Sequence, residues 1–371
     1  MMENPINRDR LYGLFQNMVD HYSPSGREEE LTAWLADYLR AAGLSVKVTP
    51  VDDSRSNLEI TARGEPASIL FLGHIDTVPA FDIEQYEFSE RGGRCYGLGT
   101  ADMKGGCAAM IEAFICAAER GSLPDSVMLA LVVGEEESGD GTEALLEGRR
   151  FDTALVGEPT GLKPCPAHYG YVEMLIRVFG YRRHAAMASR ETGAIRSLLR
   201  FLLALEDRIE EEEESIINIR DLHSSESGFA VPDRCTAAVD FHIPPGESAA
   251  EYAARLEEFA RREFDSSGAT HYEIEFPTRA DGYRLDEEAG LCSIVKELYR
   301  RNTKEWRPSE FRSHSDASLL IDTGCSPLML GPGELSLAHT IDESIDFEEV
   351  VRAARIYMET LSILYENPIS D

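Results

Sequence analysis

Apolar residues recur along the chain with two periods, and the switches between them predict the architecture. Leu11, Leu14, Phe15, Met18 and Val19 fall at helical spacing. After the break HYSPSG, Ser25 and Glu28 have the spacing of a capping box. The helix it opens has a buried stripe of Leu31, Trp34, Leu35, Tyr38 and Leu39. Strand-like pieces at 44–48 and 58–62 lead to Ile69, Leu70, Phe71 and Leu72, an unbroken apolar run of the kind a strand buried on both faces shows. Cys107, Met110, Ile111, Phe114 and Ile115 mark one face of the next helix. Residues 127–133 and 153–156 then read as strands around a short helix at 142–146. Strand, helix, strand, helix, strand predicts a parallel α/β sheet.

The pattern changes near Tyr169. Val172, Met174, Ile176 and Val178 alternate with more polar neighbours, as in a half-exposed strand. A helix follows through Ile195, Leu198, Leu199, Leu202 and Leu205, then strands at 216–219 and 236–243, a helix over 249–264 and a strand over 271–276. The order βαββαβ is that of a ferredoxin-like domain. After Asp286 the first pattern returns, with a helix at 289–300, a helical stretch after SHSDA and a strand at 327–330. Asp346 and Glu349 open a last helix. The expected fold is therefore an α/β domain with a mostly parallel sheet and helices on both faces (residues 1–168 and 279–371). Into it is inserted a smaller α+β domain (169–278).

Composition narrows the function classes. With 371 residues the chain is long enough for two cores. No apolar run approaches the ~20 residues of a membrane span. The opening MMENPINRDRLYG lacks the basic end and apolar block of a signal peptide. Seven cysteines without paired spacing read as reduced thiols used for packing, and the expected compartment is the cytoplasm. A net charge of −31 argues against nucleic acid and anionic membranes as partners.

The strand ends carry the chemistry. His74 and Asp76 follow one strand, Asp102 sits just before a helix, Glu135 and Glu136 follow a second strand, Glu158 a third, and His339 lies in a loop after a fourth. In an open α/β sheet these carboxyl-end loops are where ligands bind. Histidines mixed with carboxylates suit zinc, or cobalt or manganese. Five protein ligands are too many for one catalytic zinc, which keeps an open position, and suit two ions sharing one carboxylate. Such ions, ~3.5–4 Å apart, would clamp a hydroxide and polarise a carbonyl. The adjacent glutamates can then divide the labour between binding an ion and moving protons.

The motifs GHIDTVP, GLGTADMKGG, GEEESGDGT, GEPT, SHSDA and GPGELSLAHTIDES resemble, in order, those of the co-catalytic metallopeptidases. That family includes acetylornithine deacetylase, succinyl-diaminopimelate desuccinylase, aminoacylase and carboxypeptidases. The resemblance implies that His74, Asp102 and Glu158 hold one metal and that Asp102, Glu136 and His339 hold the other. Glu135 would be the general base and Asp76 the partner that orients His74. The glycine that follows the family's glutamate pair falls at Gly141, which selects Glu135/Glu136 over Glu136/Glu137.

The resemblance also implies a cis bond at Asp102–Met103, and a lid domain whose His184 reaches the active site of a second subunit. The alternating strand 171–179 and the apolar helix after it would bury that two-fold interface. The function implied is removal of an N-acyl group from an amino acid, as by acetylornithine deacetylase. A desuccinylase, a dipeptidase or a carboxypeptidase is the alternative, and a metal-free binding protein on the same fold a remote one. Phe229 stands where the family has an asparagine, and Asp240-Phe241-His242 where it has D-x-R, so the implied substrate is less specific than the implied chemistry. Arg279, Arg284 and Arg312 are candidates for a substrate carboxylate.

Overall fold

The computed structural model describes residues 6–62, 67–80, 86–188, 193–212, 214–226, 228–267, 271–302 and 305–367. Residues 1–5 of the N-terminal stretch read for a leader lie outside them. In chain order the main elements are α1 (Arg8–Asp20), α2 (Glu29–Ala41), β1 (Ser45–Pro50), β2 (Ser56–Thr61), β3 (Ile69–His74), α3 (Gly105–Glu119), β4 (Val127–Val132), α4 (Asp140–Leu146) and β5 (Thr153–Val156). Then come β6 (Gly170–Phe179), α5 (Ala194–Glu210), β7 (Ile216–Ser224), β8 (Arg234–Ile243), α6 (Ala249–Ser267) and β9 (His271–Glu275). The chain finishes with α7 (Gly290–Arg301), α8 (Ala317–Asp322), β10 (Ser326–Met329) and α9 (Phe347–Glu366).

The chain divides into two compact units. The first comprises Met1–Pro166, Leu285–Phe311 and Ser315–Asp371. Its sheet has the order β1-β2-β4-β3-β5-β10. The last four strands are mutually parallel, and the β1–β2 hairpin adds an antiparallel edge. Every residue of β3, β4 and β5 is buried, which is why these strands read as continuous apolar runs rather than alternating ones. Phe71 of β3 packs edge-on against Phe114 of α3 and Tyr357 of α9. The capping box expected at Ser25 and Glu28 does not form. Glu28 takes the N-cap position without a side-chain bond, and the Ser25 hydroxyl donates instead to Asp76 Oδ2 at 2.7 Å.

The second unit comprises Ala167–Arg284 and Arg312–His314. Its antiparallel sheet has the order β7-β8-β6-β9, the ferredoxin-like arrangement, and α5 and α6 supply its core with Leu198, Phe201, Leu205, Tyr252 and Leu256. The alternating strand β6 is central, paired with β8 on one side and β9 on the other, and among the described residues β7 and β9 stand at the two ends of the sheet. Alternation reports which face is buried and says nothing about neighbours. The seven cysteines are all buried, and none is joined in a disulfide. Among the described residues, no helix is long and apolar enough to cross a membrane.

This unit also gathers His168, His242 and His314. Tyr171 stacks on His314 with ring centroids 4.9 Å apart and leans on His242 at 5.5 Å, while His168 stacks on Tyr283 at 5.2 Å. Burial first, then their mutual repulsion, lowers His168 to about 3 and His314 to about 4. His242 is lowered by burial too, against the opposing charge of Asp240. Each ring is thus neutral when folded, whereas in the unfolded chain it takes a proton below pH ~6.5. The unfolded state binds more protons, so stability falls as pH drops from about 6.5 towards 4, by up to about 1.4 kcal/mol per pH unit per histidine. The thermal midpoint is expected to fall through that window, with a shallower slope in His314→Asn. Equal slopes in the two proteins would exclude this account.

Candidate active site

The parallel strands of the first unit deliver the site. His74 ends β3, Glu135 and Glu136 follow β4, Glu158 follows β5, and the segment after β10 leads to His339. Asp102 sits in the irregular turn 100–104 ahead of α3, and the Asp102–Met103 peptide bond is cis, as expected.

Asp102 lies between the two histidines. Its Oδ1 is 3.2 Å from His74 Nε2, and its Oδ2 is 3.5 Å from His339 Nε2. On the His74 side stand Glu158, 3.8 Å from Nε2, and Glu135 at 3.9 Å. On the His339 side, Glu136 contacts Nε2 at 2.9 Å. One ligand atom each of His74, Asp102 and Glu136 lie within 4.8 Å of one another, so Glu136 is close to both histidine sides. Glu137 is exposed, and the side chains of Glu135 and Glu136 are turned inward at 12% and 7% exposure. Gly141 has a steric reason as well. A Cβ there would come within 2.1 Å of the carbonyl oxygen of Val133, so α4 can start this close to the end of β4 only with glycine.

Asp76 organises the cluster from behind. It is fully buried, and its carboxylate accepts the backbone N–H of Glu135 at 3.2 Å and of Glu136 at 3.0 Å. The Nδ1 of His74 faces the Asp76 carbonyl at 3.1 Å and its carboxylate at 3.5 Å. A proton held on Nδ1 would leave the lone pair of Nε2 for a cation bound between His74 and Asp102.

Two further carboxylates went unassigned in the sequence. Glu343, 3% exposed, accepts the backbone N–H groups of Gly99 (3.0 Å), Ala101 (2.9 Å) and Asp102 (3.1 Å), and so fixes the turn that carries Asp102. Asp316 accepts from Thr142 Oγ1 at 2.5 Å. Both lie inside motifs quoted above, but their partners come from remote segments.

The electrostatics show what the cluster needs. Burial is the largest influence on Glu135, Glu136 and Glu158 and pushes all three upward, with like charges adding to it. His74 is held well above the usual imidazole range; burial opposes this, and the Asp102 and Asp76 carboxylates outweigh it. His339 is raised to about 9, chiefly by its bond to Glu136. Among the described residues, no lysine or arginine forms an ion pair with Asp102, Glu135, Glu136 or Glu158. Four inward-facing carboxylates meet only two imidazoles, so negative charge exceeds positive even with both rings protonated, and the mixture of nitrogen and oxygen donors fits divalent cations.

Residues 70–362 match the profile of peptidase family M20/M25/M40. The chain belongs to that family. It is accordingly an enzyme of the metallopeptidase type, acting on amide bonds. Among solved structures, a tripeptidase from Staphylococcus aureus is 20% identical, with 98% of this chain and 100% of that chain covered and a TM-score of 0.82. The dipeptidase Dug1p from Saccharomyces cerevisiae is 12% identical over 98% and 97% of the two chains, at 0.80. A dinuclear metal-binding peptidase of the M20 family from Bacillus subtilis is 16% identical over 97% and 98%, at 0.70. At these identities the likeness establishes the M20 fold.

His184, the remaining expected site residue, belongs to the second unit. It is exposed on the two-residue strand Arg183–His184, which pairs with Ala230–Val231, and its Nδ1 accepts the N–H of Ala186 at 3.2 Å. Neighbouring Phe229 is 93% exposed. Arg279, Arg284 and Arg312 also lie in the second unit and are exposed, Arg312 over the ring of Tyr169 at 5.4 Å.

Proposed function

We propose that this M20 peptidase is a two-metal hydrolase that cleaves the amide bond joining an acyl or aminoacyl group to an amino acid. The observation that carries this reading is Asp102, whose two oxygens address two different histidines. His74 and Glu158 would complete one cation site, and Glu136 and His339 the other. Zinc suits these ligands best, with cobalt or manganese able to replace it. The bound ions would polarise the scissile carbonyl and make a water between them more acidic. Glu135 takes the proton from the attacking water and passes it to the leaving amine nitrogen, a task for a buried carboxyl whose affinity for protons is raised. Asp76 and Glu343 move no protons; they hold His74, the glutamate pair and Asp102 in register.

For the substrate, the tripeptidase and dipeptidase among the structural relatives support short peptides, and the motif likeness supports N-acyl amino acids, acetylornithine among them. The test is a hydrolysis panel of dipeptides, tripeptides, N-acetyl and N-succinyl amino acids with added zinc or cobalt. Cleavage of none of them would sink the reading.

We further propose that two copies pair through the second unit, along the edge strand β7. Exposed Ile216 and Leu222 on that strand, and Leu199 and Leu203 on α5, support it. His184 would then act on the carbonyl oxygen at the other copy's site, stabilising charge that develops in the transition state. Seven buried thiols, none of them in a disulfide, support a reducing compartment such as the cytoplasm.

A further inference from the structure

The loop between β4 and α4 carries the glutamate pair, and its support comes from the start of β2. Asn57, buried, accepts the N–H of Val133 through Oδ1 at 3.2 Å and donates through Nδ2 to the carbonyl of Gly141 at 2.7 Å, clamping the loop at both ends. Two residues earlier, Arg55 reaches beneath the same loop. Its guanidinium binds both carboxylate oxygens of Asp140, at 3.2 Å through Nη1 and more closely through Nη2, and its Nε donates to Asp52 at 2.7 Å. The side chain is 12% exposed.

The fit between this ion pair and the loop is tight. Gly134, directly before Glu135, has φ +76°, and a Cβ there would stand 2.1 Å from Asp140 Oδ1 and 2.8 Å from Arg55 Nη1. Behind the ion pair lies Glu28, fully buried. Its only ion pair among the described residues is with Arg55, at 3.8 Å. Glu28 in turn feels the charge of Asp76, the residue that holds the amides of Glu135 and Glu136.

We infer that Arg55 is a positioning residue for the Glu135–Glu136 loop, acting through Asp140. Without the guanidinium, Asp140 loses its cation, and the segment packed on the ion pair loosens where Glu135 is aimed. Arg55 touches no reacting atom, so its loss disturbs the aim of the proton-transfer group rather than substrate affinity. Displacement of a catalytic group by an ångström or so can cost roughly 10²-fold in rate.

The kinetic part of the inference rests on the hydrolase reading above; the structural part is tested without it. In the full-length protein, Arg55→Met is expected to speed amide hydrogen exchange at residues 134–140, above all at Glu135 and Glu136, with the remaining strands unaffected. On a substrate cleaved by the wild type, kcat should fall roughly 10- to 100-fold with KM within about twofold. Arg55→Lys should restore part of both, and it serves as the test variant if Arg55→Met fails to fold. Asp140→Asn should show the same exchange signature, and the double variant Arg55→Met/Asp140→Asn should be no worse than Arg55→Met alone, the mark of two residues acting through one contact. Unchanged exchange at 134–140, or additive losses in the double variant, would overturn the inference whatever the activity. Faster exchange with unchanged kcat would overturn its catalytic half.

Discussion

Chelation of divalent cations is expected to abolish hydrolysis entirely and to lower the thermal midpoint of the first unit. Asp102, Glu135, Glu136 and Glu158 are buried against two histidines, with no lysine or arginine paired to them among the described residues. Without cations, protons must take their place, which is the physical content of the raised affinities of Glu135, Glu136 and Glu158. An ion that binds only the folded state at a thousand times its dissociation constant stabilises it by about 4 kcal/mol. Zinc, cobalt or manganese should restore both activity and midpoint. Full activity in protein shown by elemental analysis to be metal-free would end the two-metal reading.

Replacing Glu135 should separate chemistry from metal binding. Glu135→Gln is expected to lose roughly 10²–10⁴-fold in turnover while retaining its cations, whereas Glu136→Gln should lose cations, because Glu136 contacts His339 at 2.9 Å. The reverse pattern of metal contents would exchange the two roles. The same variant tests His184. If that histidine acts across a two-fold interface, mixing inactive Glu135→Gln with inactive His184→Ala protein should return activity as subunits exchange, since one site in each mixed dimer regains both groups. Demonstrated exchange without recovery would confine His184 to its own subunit or remove it from catalysis.

What the chain discloses before folding depends on whether a residue's partner is near in sequence. Strand β3 is legible because burial on both faces leaves an unbroken apolar run, and β5 because its four residues obey the same rule. The site is legible because carboxyl-end loops of one sheet necessarily converge, so His74, Glu136, Glu158 and His339 can be set side by side without coordinates. Ser25 is the counterexample. Its spacing to Glu28 favours a cap, but a buried carboxylate 51 positions away takes its hydroxyl. Glu343 was hidden for a related reason. Its partners are backbone N–H groups, which every residue carries and which leave no mark in the sequence. The central place of β6 is legible only through the βαββαβ order of its unit, since alternation reports the buried face and not the neighbouring strands.

The division of the first unit into separate stretches of chain also bears on how the protein is made. Strand β10 pairs with β5, registering Ser326 against Thr153. A chain emerging from the ribosome can lay down β1 to β5 and the whole second unit, yet β5 stays an open edge until residues beyond 326 are released. Of the acidic cluster, His74, Glu136 and Glu158 would already stand at their strand ends, with Glu343, which fixes the turn of Asp102, and His339 still to come. The nascent protein therefore passes through a stage with a bare parallel edge and an unfinished cluster of acids, a form open to strand addition by neighbouring chains. Release of β10 and of the segment after it closes the sheet and brings the second histidine to the site in one event.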